Sequence, residues 1–230
     1  ISGCLTNYIF EETGHAVLQV LKNHPVEVVI PEQWCCGVPA LASGDEQTAV
    51  QLAQRNIEAF QKAGVDVIIT DCASCGSMLL EYDDLVGSKA AKAFADKSMD
   101  FSQLLADVID FNPGDKEVGM SVTFHDPCHL KRGQGVSDAP RKLIRSLPGV
   151  AFREMKDSDR CCGAAGSFNI THYDLAKKVG HTKARNIIDS GAQAVITECP
   201  SCIMQMRHML EREGAPIQVL HLAELISKTY

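Results

Sequence analysis

The amino-acid sequence predicts an α/β fold of two tandem homologous halves, each a mostly parallel sheet flanked by helices, with its sites at the carboxyl ends of strands. Three observations predict it. Short β-branched runs alternate with stretches of helical periodicity, as parallel strands joined by crossover helices require. All ten cysteines fall into one pattern written twice: Cys4, Cys35-Cys36-Gly37 and Cys72-x-x-Cys75, then Cys128, Cys161-Cys162-Gly163 and Cys199-x-x-Cys202. Finally, Gly64 to Cys72 (GVDVIITDC) aligns with Gly191 to Cys199 (GAQAVITEC), which marks a duplication.

In the first half, a helix is expected over Glu11 to Lys22, then a strand over the apolar β-branched run Val26 to Ile30, leading into the Cys35-Cys36 pair. Ser43-x-x-Glu46 has the form of a capping box. The helix it would start carries Val50, Ala53, Ile57 and Phe60 at helical spacing and stops at Gly64. Val65 to Thr70 reads as a buried strand. Cys72-x-x-Cys75 then sits where that strand gives way to a helix through Met78, Leu79 and Leu80. The second half repeats this order. It has a strand at Ser121 to Phe124, a helix at Pro140 to Ser146 and a strand at Val150 to Met155. A helix capped by Thr171-x-x-Asp174 runs to Gly191, and a strand follows at Ala194 to Thr197. Turn formers and charge from Phe111 to Glu117 place the boundary there, giving halves of 1–117 and 118–230. With ligand segments at strand carboxyl ends, each half's cysteines converge on one rim, and the two sets are expected to face each other across a pseudo-twofold.

Composition narrows the function. The 230 residues are 45% hydrophobic and 22% charged, which suits a soluble globular chain, and no apolar run of spanning length or secretion signal is apparent. The expected location is therefore the cytoplasm, with any contact with the inner face of the membrane made through a partner. A net charge of −7 without a basic stripe argues against nucleic acid. Ten cysteines without a signal peptide point to reduced thiols rather than disulfides.

The thiol spacing selects among metals. Thirty residues separate Cys4 from Cys35 and 32 separate Cys128 from Cys161, so each half offers a lone cysteine, an adjacent pair and one C-x-x-C. Thiolates select zinc or iron–sulfur over hard cations, and five exceed what tetrahedral zinc uses. Adjacent side chains in extended backbone diverge, so the pair suits different irons of a polynuclear cluster better than one ion. The glycine after each pair can take positive φ and lets amides approach the sulfurs. A C-x-x-C at a helix amino terminus gains the dipole and free amides, and Pro200 suits a first helical turn.

These motifs resemble the duplicated cysteine-rich (CCG) domain family, which includes the iron–sulfur subunits of glycolate oxidase and lactate-utilisation systems and the B subunit of heterodisulfide reductase. The resemblance covers essentially the whole chain. It is strongest in HDPCHLKR from His125, DRCCGAAGSF from Asp159 and ECPSC from Glu198. It implies that Cys4, Cys35, Cys36, Cys72 and Cys75 hold one cluster and that Cys128, Cys161, Cys162, Cys199 and Cys202 hold another. Both would be of the 4Fe–4S type, noncubane where all five cysteines are retained. It also implies an electron-transfer subunit served by an FAD-linked oxidoreductase that oxidises glycolate or lactate, with a quinone or other carrier as acceptor. The alternative it implies is a catalytic subunit that reduces a disulfide at a noncubane cluster. Family members commonly begin with a ferredoxin-like region carrying further clusters, so the abrupt start at Ile1 leads to the expectation of a longer parent chain.

Other motifs carry less. His125 and His129 flank Cys128 and could ligate iron, pass a proton or simply orient the site. Lys131 and Arg132 read as a solvated face or a partner contact, and Met204, Met206 and Met209 as core. Gly163-Ala164-Ala165-Gly166 lacks the full dinucleotide fingerprint, so no flavin or nicotinamide site is expected. No catalytic residue is identified.

Overall fold

The computed structural model describes residues 1–230. Six strands form two parallel sheets. In the first half β1 (Ile68–Thr70) pairs with β2 (Ser98–Asp100). In the second, β3 (Met120–Phe124), β4 (Val150–Phe152), β5 (Ala194–Thr197) and β6 (Gln218–His221) lie in the order β4-β3-β5-β6. The all-buried β5 has the apolar run a central parallel strand needs. No helix is long and apolar enough to cross a membrane.

The duplication is visible element by element. β1 matches β5 and β2 matches β6, and each outer strand runs into a helix through a capping box, Asp100 with Gln103 and His221 with Glu224. Ile1 donates its nitrogen to the Ile69 carbonyl as His125 donates to Ile196, the latter at 2.9 Å. The helices interlock across the two halves. Glu11–Lys22 packs on Leu222–Ser227, and Asp138–Ser146 packs on the segment Phe101 to Val108. The larger core consequently mixes Val17, Val20, Leu21, Phe101 and Leu105 with Phe124, Ile144, Ile196 and Leu225. A smaller core under β1 holds Ile57, Phe60, Met78, Leu79, Tyr82 and Phe94.

Several expectations need correction. Val26 to Ile30 forms no strand. Its counterpart β4 pairs with β3, whereas no strand lies between this segment and β1 to accept its hydrogen bonds. Val28, Val29 and Ile30 are exposed instead, along a groove of about 360 Å³ that also reaches Leu18, Leu21 and Ile69. The strands expected at Val65 to Thr70 and Val150 to Met155 shrink to three residues each. Ser43 caps nothing. Its hydroxyl bonds back to Pro39, and the Asp45 carboxylate takes the amide of Thr48 to start the Glu46–Ala63 helix. Thr171 likewise bonds back to Ser167, and His172 precedes the Tyr173–Asp189 helix without a side-chain cap.

Candidate metal centre

Each C-x-x-C is set by a strand feeding a helix. Cys72 follows β1 and is the residue before the Ala73–Leu80 helix, and Cys199 follows β5 and precedes Pro200–Arg212. Both have extended backbone, with φ/ψ of −131/111° and −138/110°, so the second cysteine of each motif lies in the first turn among unsatisfied amides. The pairs are set by Gly37 and Gly163, at φ of 94° and 92°. Only glycine takes such a turn freely, and at Gly163 an added Cβ would stand 2.6 Å from the Ala176 carbonyl oxygen.

All ten thiols are free, and the fold gathers them into two adjoining sets, one from each half. In the first half the Cys35 and Cys36 sulfurs lie within hydrogen-bonding reach of each other, Cys36 reaches Cys75, and Cys75 reaches Cys72. In the second, Cys161 reaches Cys162, Cys162 lies 3.1 Å from Cys202, and Cys202 reaches Cys199. Cys4 lies in the field of Cys35, and Cys128 in the fields of Cys199 and Cys162. The two sets join where Cys72 meets Cys199. The two members of each pair differ in exposure, Cys36 and Cys162 being buried and Cys35 and Cys161 reaching toward solvent. They serve different neighbours, Cys36 facing inward and Cys35 toward Cys4.

Ionisation of this array is uneven. Hydrogen bonds from the Cys35 and Cys75 thiols bring Cys36 down to about 4. Bonds from Cys161 and Cys202 lower Cys162 well below the usual thiol value, and Cys202 and Cys72 do the same for Cys199. The sulfurs that donate those bonds, Cys35, Cys72, Cys75, Cys161 and Cys202, are raised in turn, and burial raises Cys128. Protons shared among crowded sulfurs mark a donor set that a soft cation would neutralise. Five sulfurs a half exceed one tetrahedral ion, so the residues fit an iron–sulfur cluster.

His125 belongs to this setting. Its Nδ1 faces the Ser158 carbonyl at 3.1 Å, and its ring lies with the Cys162 and Cys202 sulfurs such that all three ligand atoms fall within 4.8 Å of one another. His129 is exposed and bonds Ser74 at 2.8 Å, while the Ser74 hydroxyl is 3.6 Å from the Cys199 sulfur. Lys131 pairs with Asp159 on the surface at 3.0 Å. Met206 and Met209 are core, whereas Met204 is exposed.

Sequence reasoning missed the polar groups behind the sulfurs. The Ala73 amide donates across the halves to the Glu198 carbonyl at 2.8 Å. The mirror-image bond cannot form, because Pro200 has no N–H. His221 supplies the missing donor, its Nε2 meeting the Asp71 carbonyl at 2.8 Å while its Nδ1 accepts from Ala223. Asp100, the counterpart of His221, lies buried beside Glu198. Burial above all, and the neighbouring Asp100 charge for Glu198, push both carboxyls up. Asn56 and Lys183 occupy matching positions on the helices after each cysteine pair and clamp the loops that lead into them. A lysine within the apolar spacing Ala176, Gly180, Ala184, Ile187 was the one available signal.

The cysteine-rich domain family model (CCG) matches residues 1–80 and 122–207. A probable glycolate oxidase iron-sulfur subunit of Bacillus subtilis is 38% identical over 235 residues, covering 98% of this chain and 53% of that protein. The B subunit of a fumarate reductase (CoM/CoB) of Methanothermobacter marburgensis is 39% identical over 231 residues, covering 100% of this chain and 45% of that protein. Lactate utilization protein A of an Exiguobacterium species is 31% identical over 231 residues, covering 98% of this chain and 94% of that protein. The chain thus spans about half the length of the first two relatives.

Proposed function

From a chain that belongs to the CCG cysteine-rich family, we propose an iron–sulfur electron-transfer subunit or part of one, in which each five-thiol set holds a 4Fe–4S cluster. The observation that carries the reading is the gathering of ten free thiols, five to a half, into two sets that adjoin at Cys72 and Cys199. Bound clusters would supply one-electron carriage. The chain supplies the sulfurs, six of them buried, and the helix amino termini and glycine turns that bring amides to them.

The donor proposed is an FAD-linked oxidoreductase acting on a 2-hydroxy acid such as glycolate or lactate, and the acceptor is a quinone or another carrier. A further ferredoxin-like or iron–sulfur domain is a second proposed partner, and any membrane contact would be made through partners. The names of the Bacillus and Exiguobacterium relatives support the donor. Visible absorbance of the anaerobic complex should bleach when glycolate or lactate is added together with the flavoprotein. Bleaching by neither substrate would reject this donor.

One arrangement favours the alternative, reduction of a disulfide. The two sets abut beside Ser74 and exposed His129, which form a polar route from solvent to Cys199. Reoxidation of the reduced protein by a disulfide, with two thiols formed for every two electrons lost, would support it.

A further inference from the structure

The two halves hold their cysteine pairs from behind with different chemistry. On the first helix Asn56 accepts from the Trp34 amide at 2.9 Å and donates to the Cys35 carbonyl at 3.2 Å and the Tyr82 hydroxyl at 3.1 Å. Tyr82 in turn donates to the Cys36 carbonyl at 2.8 Å. Every group in that clamp is neutral. The aligned residue of the second helix is Lys183, 1% exposed, whose ammonium donates to the carbonyls of Asp157 at 2.8 Å and Ser158 at 3.0 Å.

That ammonium has no carboxylate partner of its own. Asp126, in whose field it lies, is taken up by the Arg141 fork at 2.7 Å, and Asp159 is paired with Lys131. Arg55, the cation stacked on Trp34 beside the first pair, is exposed and screened by water. Burial pushes Lys183 down to about 8, which leaves most of it charged at neutral pH, and Cys162 and Cys202 lie in its field. A buried cation favours the more negative, reduced state of a nearby redox group, because screening there is weak.

Resting on the cluster reading above, the geometry points to Lys183 as a positioning charge that raises the reduction potential of the second site, a charge absent from the matching helix position of the first half, where Asn56 stands.

The test is a potentiometric titration of the anaerobic, iron-loaded chain with dithionite, followed by electron paramagnetic resonance, with signals assigned to sites by Cys36→Ser and Cys162→Ser. Lys183→Asn should move the second-site midpoint to lower potential and leave the first unmoved, and Lys183→Arg should restore it. Asn56→Lys should raise the first-site midpoint, and it decides the matter if Lys183→Asn loses its iron. A second-site midpoint indifferent to residue 183, equal shifts at both sites, or a first-site midpoint indifferent to Asn56→Lys would overturn the inference alone. Wild-type protein that holds no iron ends the cluster reading as well.

Discussion

The two halves share a thiol frame and the strands that carry it, and differ in sheet size and in the polar groups packed behind. Both place a C-x-x-C where a strand enters a helix and a cysteine pair at a glycine of φ above 90°. Yet one rests on a four-stranded sheet with an ion network anchored on the buried Asp126, and the other on two strands with an open groove. Sulfur placement is therefore a local matter of strand end, helix start and one left-handed turn. Stability and electrostatics are set by what packs behind, and there the halves have been free to diverge.

The sharpest way to break the comparison is at Asp126. Its fully buried carboxylate meets Arg141 through two bonds of 2.7 Å, and Arg141 also reaches Glu154 at 2.8 Å. Asp126→Ala leaves Arg141 half-paired and should cost about 3–5 kcal/mol in urea unfolding. Ser2→Ala, at the matching position of the first half, should stay within about 0.5 kcal/mol. Burial alone would raise the Asp126 carboxyl, but the Arg141 fork outweighs it and holds it below the usual value. A depressed folded-state value stabilises above the unfolded carboxyl pKa of about 3.9 and ceases to do so as pH falls through the folded one. The gap between wild type and Asp126→Ala should hence close as unfolding is followed into acid.

The glycine turns come next. At Gly163 a Cβ would strike the Ala176 carbonyl oxygen at 2.6 Å, while at Gly37 its nearest neighbours are Ala49 atoms at 3.3 Å. Gly163→Ala should cost about 3 kcal/mol and Gly37→Ala about 1–2 kcal/mol, the shared left-handed strain accounting for the smaller figure. Equal losses would show that only strain matters. Tyr82→Phe, which removes the first half's bond to the Cys36 carbonyl, should cost about 0.5–1.5 kcal/mol.

What could be read from the chain follows the same division. The Glu11–Lys22 helix, β5 and both C-x-x-C junctions were legible because periodicity, a β-branched run and a strand-to-helix switch are local signals. β2 and β6 were not, since Ser98–Asp100 and Gln218–His221 are short and lack such a run, and pairing with β1 and β5 makes them strands. The misplaced caps at Ser43 and Thr171 show a hydroxyl bonding back to a preceding carbonyl in place of starting the next helix. All ten candidate cysteines were legible as a pattern. Asn56, Tyr82, Lys183, Glu198 and His221 were not, because each acts through a partner distant in sequence.

The central claim is that two adjoining five-thiol sets each hold an iron–sulfur cluster, and anaerobic iron and acid-labile sulfide analysis of wild type, Cys36→Ser and Cys162→Ser tests it most directly. Wild type should contain about eight of each per chain, and each variant should lose or convert one cluster with the other intact. Zinc alone, no metal with the thiols oxidised to cystines, or unchanged iron and spectra in both variants would contradict it.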